Sequence, residues 1–493
     1  MELKVKTSQW STGNLVVLLN VKTAEKMGLH SGDRILIKTK SEKPKKISAI
    51  VDTTERKIKE GEISVSQEIK KRISLREGQK VLGEFLLPPK SSEYIKRKLI
   101  GGELTHSEIK EIIKDIVENN LSEPEVSVFV SAMYKNGMTF KETISLIDAI
   151  LYSGKTLHFR KKLVVDKHCI GGIAGNRTTP LVVSICAAAG LTFPKTSSRA
   201  ITSAAGTADT VEVLSPVGFS MEQLKKIVKK TNACLAWGGS IGMVPADSKI
   251  IKIEKMLKLD PPAQLLASIM SKKLASGSKY ILIDIPYGKD AKVTKSKGKI
   301  LKKKFKQLAK HFGVEMKVVL TRATEPIGNG IGPALEIKDC MNILNQLEKG
   351  PKDLEEKALF LAGEIFEMTN VSKKGEGKRK AEDMLYSGLA WKKFKEIIAA
   401  QGGKIKEIHE SRIKRDILAT KNGKVKRIDN HLINYLARVL GCPKDKYAGV
   451  YIHHHVGEKI KKGEPIITIY AESKSRLNEG LAFLEENKHI FKI

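Results

Sequence analysis

The feature that most constrains this chain is a glycine-rich turn between an apolar strand and an apolar helix. Leu163-Val164-Val165 is typical of a buried strand, residues 171–175 include three glycines, and Thr178-Thr179 leads into a helical apolar run. A strand, a glycine turn and a helix N-terminus together present free backbone N–H groups to an anion. A second loop, residues 196–207, carries three Ser, three Thr and one Arg. The two loops predict one site for phosphate groups.

Length and cysteine usage limit the class of protein. The 493 residues suffice for about three domains of roughly 150 residues. The longest apolar run, Leu181 to Phe193, is shorter than the roughly 18–20 residues that span a membrane, and the N-terminus lacks the apolar segment of a signal peptide. The five cysteines form no C-x-x-C pair, which argues against zinc and disulfides. We therefore predict a cytoplasmic protein with no membrane partner.

The formal net charge of +33 allows two interpretations. Such a charge attracts nucleic acid and other polyanions non-specifically. The lysines, however, are spread along the chain, and the densest runs lack the interleaved aromatic residues that stack on bases. We therefore predict a solvated lysine-rich surface that steers small anionic substrates, and no specific nucleic-acid partner.

Hydrophobic patterns predict an α/β multidomain protein. Residues 1–86 read as a β-rich domain, which we assign to assembly into a homo-oligomer, a dimer or larger. A helical lobe is expected over 88–156 together with 247–276, because its first segment holds T-x-x-E capping boxes at Thr105 and Thr139 and a further helix start at Ser122, with Pro124 early in the helix. Alternating strands and helices predict an α/β phosphate-binding lobe over 158–245 and 278–370. Residues 380–493 are predicted to form an α+β domain with a β-rich C-terminal region.

Two local segments are predicted to have no chemical role. Residues 371–382 are polar and are predicted to be a surface loop. His453-His454-His455 could suggest a metal site, but neighbouring residues on a strand point to opposite faces. We therefore predict no metal site there and none elsewhere in the chain.

The glycine-rich stretch resembles the thymidine and pyrimidine nucleoside phosphorylases. Asp166-Lys167-His168-Cys169-Ile170-Gly171-Gly172 is similar to their D-K-H-S-T-G-G signature, and Ser197-Ser198-Arg199 through Thr207 is similar to their second loop. Thr324 to Gly328 and Ala334-Leu335-Glu336-Ile337 resemble their Q-P-L-G…A-L-E-I segment. The additional domain at 1–86 resembles one branch only, the archaeal-type AMP phosphorylases, which cleave nucleoside 5′-monophosphates.

The resemblance implies phosphorolysis, in which phosphate displaces a base from C1′ of ribose. The substrates would be small molecules, AMP or another nucleoside monophosphate together with inorganic phosphate as co-substrate, and no metal or organic cofactor would be needed. Two alternatives remain. One is a thymidine or pyrimidine nucleoside phosphorylase, and the other is an anthranilate-type phosphoribosyltransferase, which would require magnesium.

For the attacking phosphate, the resemblance implies Lys167, Thr179, Ser197 and Thr207. The first loop has one residue more than the pyrimidine type, so Thr178 and Thr179 both remain candidates. Lys167 could instead be a surface lysine at a strand end. His168 and Cys169 have structural alternatives too, a packing histidine and a small buried thiol.

Asp260 is the implied catalytic residue, as proton donor to the leaving base. The arginine that contacts the ring in pyrimidine enzymes aligns with Ile253, which favours a purine. A carboxyl facing a purine nitrogen would need a pKa raised by burial to hold its proton near neutrality. Asp260 also precedes Pro261-Pro262, so it could serve as a helix cap. Gln264, Ser268 and Lys272 continue a polar stripe, either facing a cleft or simply solvated.

The nucleotide itself would be bound by a larger set of residues. A 5′-phosphate requires more donors than a nucleoside, and the second loop is richer in hydroxyls than its pyrimidine counterpart. Gly172 would let the backbone approach the ligand closely. The implied substrate-binding residues are Gly172, Ser198, Arg199, Ala200, Ile201, Thr202, Ser203, Thr207, Ser268 and Lys292.

Overall fold

A computed structural model describes residues 1–7, 9–159, 162–200, 203–347 and 349–493. Two compact units are present. Unit 1 comprises Met1–Gly154 and Val244–Ser268, and unit 2 comprises Lys155–Met243 and Ile269–Ile493. None of the helices in the described part of the chain combines the length and the apolar surface that a membrane-spanning segment needs.

The N-terminal β-rich domain of unit 1 is a closed six-stranded barrel with strand order β1-β5-β2-β4-β3-β6. Alternating residues of its strands point inward, so that Leu3, Val5, Val17 and Leu19 fill the interior. Its elements are β1 (Glu2–Thr7), β2 (Val16–Asn20), α1 (Val21–Lys26), β3 (Arg34–Thr39), β4 (Lys46–Thr54), β5 (Glu62–Val65), α2 (Gln67–Ile73) and β6 (Lys80–Leu86).

Four helices follow in the same unit: α3 (Ser91–Leu99), α4 (His106–Glu118), α5 (Glu123–Asn136) and α6 (Phe140–Tyr152). The capping boxes predicted at Thr105 and Thr139 are formed, and the helix start predicted at Ser122 carries a capping box too. Arg34 of β3 connects the barrel to these helices, because its Nε donates to the Asn120 carbonyl over 2.7 Å and its guanidinium pairs with Glu125.

Unit 2 begins with an α/β segment. Its elements are β7 (Val165–Cys169), α7 (Thr178–Ala188), β8 (Phe193–Ser197), α8 (Thr207–Val211), α9 (Met221–Thr231), β9 (Ala233–Trp237) and α10 (Gly238–Ile241). Two helices come next, α11 (Pro245–Leu257) and α12 (Pro262–Ala275). Helix α11 belongs to unit 1, while α12 contributes residues up to Ser268 to unit 1 and the remainder to unit 2.

The α/β segment resumes with β10 (Tyr280–Tyr287), α13 (Lys295–His311), β11 (Glu315–Arg322), β12 (Gly330–Ile331), α14 (Pro333–Asn345), α15 (Lys352–Met368), α16 (Gly377–Tyr386) and α17 (Leu389–Ala400). The apolar runs at 280–286 and 313–321, which are typical of buried strands, correspond to β10 and β11 with small shifts at their ends. The prediction of a surface loop over 371–382 was wrong from Gly377 onward. Ala381 and Leu385, four residues apart, bury one face of α16 in the core and so favour a helix.

Parallel strands of unit 2 bring four loops to one edge. Strands β11, β10 and β7 form a parallel sheet in that order, and β8 pairs in parallel with β9. A parallel bridge between Val164 and Thr192 joins the two groups. Because the carboxyl ends of parallel strands share an edge, the loops after β7, β8, β9 and β10 lie at the same side of the sheet.

The C-terminal region is β-rich, as predicted. Its elements are β13 (Lys414–Leu418), β14 (Gly423–Lys424), β15 (Arg427–Ile428), α18 (Asn430–Val439), β16 (Gly449–Ile452), β17 (Lys459–Ile460), β18 (Pro465–Tyr470), α19 (Lys474–Glu486) and β19 (Phe491–Lys492). Strands β12, β16, β18 and β13 form its four-stranded sheet. Its core includes Ala174 and Ala204 from the two glycine- and hydroxyl-rich loops, so this region packs directly against them.

Candidate functional site

The first loop connects β7 to α7 and depends on its glycines. Gly171 and Gly172 have φ values of 88° and 93°, which side chains other than glycine rarely adopt. A β-carbon on Gly172 would lie 3.0 Å from the backbone nitrogen of Lys292, and one on Gly175 would lie 2.1 Å from the Ile327 carbonyl oxygen. Gly172 therefore permits a close approach of the Lys292 backbone, and its close approach to a ligand stays a prediction.

Lys167 is a buried lysine and not a surface residue at a strand end. Its side chain is 1% exposed, and its Nζ donates to Thr178 Oγ1 over 2.5 Å. Burial lowers the pKa of Lys167 to about 8. Of the two threonines that the sequence left open, the structure places Thr178 against Lys167, and the neighbouring Thr179 is also buried at the start of α7.

Asp166 fixes the backbone of Lys167 and connects two further buried lysines. Asp166 Oδ1 accepts from the Lys167 backbone N–H over 2.6 Å. Lys195 Nζ donates to Asp166 Oδ1 over 3.1 Å and to the Lys167 carbonyl over 2.5 Å, while Lys273 Nζ donates to Asp166 Oδ2 over 2.8 Å. Burial by itself would raise the pKa of Asp166, but the two ammonium groups lower it below its usual value. The Lys167 peptide is therefore held on both sides.

His168 and Cys169 follow on β7 and are partly buried. Burial, reinforced by Lys273 and Lys195, lowers the pKa of His168 well below its usual value, so the imidazole is neutral near pH 7. Burial also raises the pKa of the Cys169 thiol. Opposite Cys169 in the sheet register stands Asp284, which forms an ion pair with Lys357 over 3.1 Å. Lys357 thus joins Lys195 and Lys273 as a third lysine near the end of β7.

The second loop, after β8, begins with Ser197. The Oγ atom of Ser197 is buried and has no hydrogen-bond partner among the described residues. Gly206 is required by a close approach, because a β-carbon there would lie 2.5 Å from the Ser198 carbonyl oxygen. Ser203 Oγ donates to the Ala205 carbonyl over 2.7 Å. Of the predicted substrate residues in this loop, Ile201 and Thr202 lie outside the described residues.

Arg199 does not present its side chain as the sequence suggested. Its guanidinium donates to Asp209 over 3.0 Å and to Glu212 over 2.6 and 2.8 Å, and it stacks over Trp237 with 4.8 Å from Cζ to the ring centroid. Glu212 is the main cause of a raised Arg199 pKa. Asp209 also accepts from the Ala200 backbone N–H over 2.7 Å. The Arg199 side chain therefore orders this loop through carboxylates of its own unit.

Helix α18 holds both loops through two asparagines one turn apart. Asn430 Oδ1 accepts from the Ala174 N–H over 2.7 Å, and Asn430 Nδ2 donates to the Gly172 carbonyl over 2.6 Å. Asn434 Oδ1 accepts from the Ala204 N–H over 3.0 Å. Neither asparagine was predicted from the sequence as part of the site. The i, i+4 spacing of two asparagines on an otherwise apolar helix face was the available signal.

The predicted residues of α12 and its approach are divided between the units. Asp260 and Ser268 belong to unit 1, whereas Lys272 belongs to unit 2. Asp260 is exposed and the helix begins at Pro262, so the burial that we expected for this carboxyl is absent from the structure. Gln264 is fully buried and donates to Asp247 Oδ1 over 3.3 Å within unit 1. Gln264, one residue of the predicted polar stripe, is therefore not exposed to solvent.

The three consecutive histidines have separate surroundings. His453 Nε2 is 2.8 Å from Thr468 Oγ1, whereas the ring nitrogens of His455 are 3.2 Å from Glu325 and 3.1 Å from Asn329. In the described parts of the chain, no group of three or more His, Cys, Asp or Glu side chains is arranged to hold a metal ion.

Comparisons with known proteins match the architecture segment by segment. Residues 92–154 match the family described as "Glycosyl transferase family, helical bundle domain", and residues 161–391 match "Glycosyl transferase family, a/b domain". Residues 424–491 match "Pyrimidine nucleoside phosphorylase C-terminal domain". Anthranilate phosphoribosyltransferase from Thermus thermophilus shares the fold, with a TM-score of 0.52 and 17% identity over 63% of this chain and 99% of that chain.

Curated relatives extend the similarity over nearly the whole chain. The AMP phosphorylase of Thermococcus kodakarensis is 42% identical over 99% of this chain and 97% of the relative. The AMP phosphorylase of Pyrococcus furiosus is 43% identical, with coverage of 98% and 96%. A putative thymidine phosphorylase of Legionella pneumophila is 41% identical over 87% of this chain and 83% of the relative. The chain therefore belongs to the thymidine and pyrimidine nucleoside phosphorylase family that includes the AMP phosphorylases.

Proposed function

We propose that this protein is a pentosyltransferase that cleaves AMP with inorganic phosphate. A phosphate oxygen attacks C1′ of the ribose, the bond from C1′ to the base breaks, and its electron pair leaves with adenine. The products are adenine and ribose 1,5-bisphosphate. The observation that carries this proposal is Lys167, a buried cation at the end of β7 whose Nζ donates to the hydroxyl of Thr178. A buried ammonium next to hydroxyls is the chemistry that positions a phosphate.

Within this proposal the residues have separate roles. Lys167, Thr178 or Thr179, Ser197 and Thr207 bind the attacking phosphate. Residues 198–203, Gly172, Ser268 and Lys292 bind the nucleotide. Asp260 donates a proton to the leaving base. A neutral His168 adds no charge to the phosphate site. We propose that the reaction uses no metal ion or organic cofactor.

One observation separates AMP from thymidine as the proposed substrate. The matches to the two AMP phosphorylases named above cover 96% or more of those relatives, whereas the match to the putative thymidine phosphorylase covers 83% of it. The similarity to the AMP enzymes thus spans 98–99% of this chain. We therefore favour AMP and keep thymidine as the second candidate.

The test is phosphate-dependent release of free base from AMP, other nucleoside monophosphates, adenosine and thymidine, with and without EDTA. We expect AMP to be cleaved fastest, ribose 1,5-bisphosphate to be the second product, and EDTA to have no effect. A preference for adenosine or thymidine would contradict the proposal, as would a loss of activity in EDTA.

We also propose that the protein acts in the cytoplasm as a homo-oligomer. All five cysteines are free thiols, as is usual in reducing compartments. Leu87 directly follows the barrel and Ile100 caps the end of α3; they are 71% and 85% exposed, and large exposed apolar side chains often mark interfaces. Light scattering with wild type and a Leu87→Asp/Ile100→Asp variant tests this proposal. A monomeric wild type would contradict it.

A further inference from the structure

Arg177, immediately before α7, links the two phosphate loops. The residue is 8% exposed. Its Nε donates to Glu336 Oε2 over 2.5 Å, its Nη1 donates to Thr207 Oγ1 over 2.8 Å, and its Nη2 donates to the Ala205 carbonyl over 2.7 Å. The first loop therefore reaches the second loop through a side chain that neither the residue patterns nor the family resemblance assigned to the site.

We propose that Arg177 is a positioning residue for the attacking phosphate and acts through the hydroxyl of Thr207. This inference rests on the proposed function, because it assumes that the second loop binds phosphate. The guanidinium fixes where the Thr207 oxygen lies and which way its proton points.

The donor and acceptor capacity of a hydroxyl determines how Arg177 affects Thr207. A threonine hydroxyl has one proton to donate and accepts with its lone pairs, whereas a guanidinium can only donate. Thr207 Oγ1 accepts from Arg177, so its own proton must point away from Arg177. The oxygen is also polarised by the cation, which makes the proton a stronger donor to an anion.

The same arrangement occurs at the first loop. Lys167 Nζ donates to Thr178 Oγ1, so that hydroxyl also accepts from a buried cation and directs its proton elsewhere. Each loop thus pairs one cation with one threonine hydroxyl. Two hydroxyls oriented in this way are suited to an anion rich in hydrogen-bond acceptors, as a phosphate dianion is.

Glu336 holds Arg177 in place. It is 1% exposed and accepts from Arg177 Nε, from Thr210 Oγ1 over 3.3 Å and from the Gly332 N–H over 3.2 Å. A buried carboxylate offsets the cost of burying the guanidinium and fixes its plane. This contact gives a physical role to the A-L-E-I segment on α14, which had none in the sequence analysis.

The test measures the affinity of the full-length protein for inorganic phosphate by calorimetry, for wild type, Arg177→Met, Thr207→Val and the double variant. We expect Arg177→Met to weaken phosphate binding about 10–100-fold, as for loss of a hydrogen bond to a charged group. In the Thr207→Val background the same change should have less than about threefold effect, because its target is already missing. The KM for AMP should stay within about threefold of wild type.

Arg34→Met is the matched control. Arg34 has the same exposure of 8% and pairs with Glu125, but it belongs to unit 1. It should lower the melting temperature and leave phosphate affinity unchanged. If Arg177→Met does not fold, Arg177→Lys and Arg177→Gln replace it. Arg177→Lys should then retain more phosphate affinity than Arg177→Gln, whose side chain is neutral.

Two results would overturn the inference. An undiminished effect of Arg177→Met in the Thr207→Val background would make Arg177 a direct ligand, and equal losses for phosphate and AMP would make it merely structural. Absence of phosphate binding to the wild-type protein would overturn it too. Cleavage of AMP is assayed in parallel and tests the proposed function separately. The two outcomes are distinguishable because a protein could bind phosphate through Thr207 and yet cleave another nucleotide.

Discussion

Lys273 Nζ donates to Asp166 Oδ2 over 2.8 Å, which joins helix α12 to the strand that carries Lys167. The contact is fully buried at both ends. It therefore affects both the stability of unit 2 and the geometry of the phosphate site.

Replacing Asp166 by Asn should destabilise the protein strongly. The change leaves Lys195 and Lys273 buried without their carboxylate, and breaking a buried pair costs about 3–5 kcal/mol. Urea denaturation measures this loss. The double variant Asp166→Asn/Lys273→Met should recover part of the stability, because it removes one uncompensated charge. A double variant that is less stable than Asp166→Asn would contradict this explanation.

Anion binding should weaken as the pH rises above 8. Burial lowers the pKa of Lys167 to about 8, whereas lysine in an unfolded chain titrates near ~10.4. Above pH 8 the folded protein progressively loses the cation, and the inhibition constant for sulfate should rise about tenfold per pH unit. Sulfate is the appropriate probe because its own charge does not change over this range.

The stability effect of Lys167 has the opposite direction. Between pH 8 and about 10.4 the unfolded chain binds more protons than the folded protein, so the contribution of Lys167 to stability increases with pH.

Lys167→Met should abolish the pH dependence of sulfate inhibition. A dependence that persists in Lys167→Met would assign the titration to another group.

Asp260→Asn should remove most turnover and leave nucleotide binding largely intact. General acid catalysis contributes about 10²–10⁴-fold, and the amide keeps the size of the carboxyl. The measurements are kcat and the dissociation constant for AMP. Glu118→Gln is the control, because it changes a carboxyl at the end of α4 in the same unit. Retained turnover in Asp260→Asn would show that this carboxyl is not the proton donor.

Lys292→Ala should reduce kcat/KM for AMP about 100-fold and that for adenosine only slightly, because a contact between a cation and a 5′-phosphate is made by AMP alone. Lys289→Ala tests the specificity of the effect, since Lys289 lies in the same loop. Equal losses with AMP and adenosine would exclude a contact between Lys292 and the 5′-phosphate.

Local features of this chain were predictable from sequence, whereas contacts between residues far apart in the sequence were not. The capping boxes at Thr105 and Ser220 formed because their donors and acceptors lie three residues apart. The partners of Asp166 are Lys195 and Lys273, 29 and 107 residues away, and no local pattern selects them. Arg199 was identified as part of the second loop, but only the fold shows that its guanidinium is taken by carboxylates.

The site was predicted in outline because its motifs coincide with strand ends. The glycine turn after β7 and the hydroxyl-rich loop after β8 follow from the topology of a parallel sheet. Asn430 and Asn434 could not be placed, because α18 reaches these loops from more than 200 residues further along the chain. The exposure of Asp260 likewise could not be read from residues that only suggested a helix start.

The buried lysines at the end of β7 have a consequence for anion selectivity. Among the described side chains there, Lys167, Lys195, Lys273 and Lys357 accompany two carboxylates, Asp166 and Asp284. Burial lowers the pKa of Lys273 to about 7 and that of Lys167 to about 8, and a bound dianion favours the charged form of both lysines more than a monoanion of similar size does in a region of low dielectric constant. We expect sulfate to compete with phosphate and nitrate to compete poorly, so that the protein sorts oxyanions by valence before any contact with a sugar or a base is made.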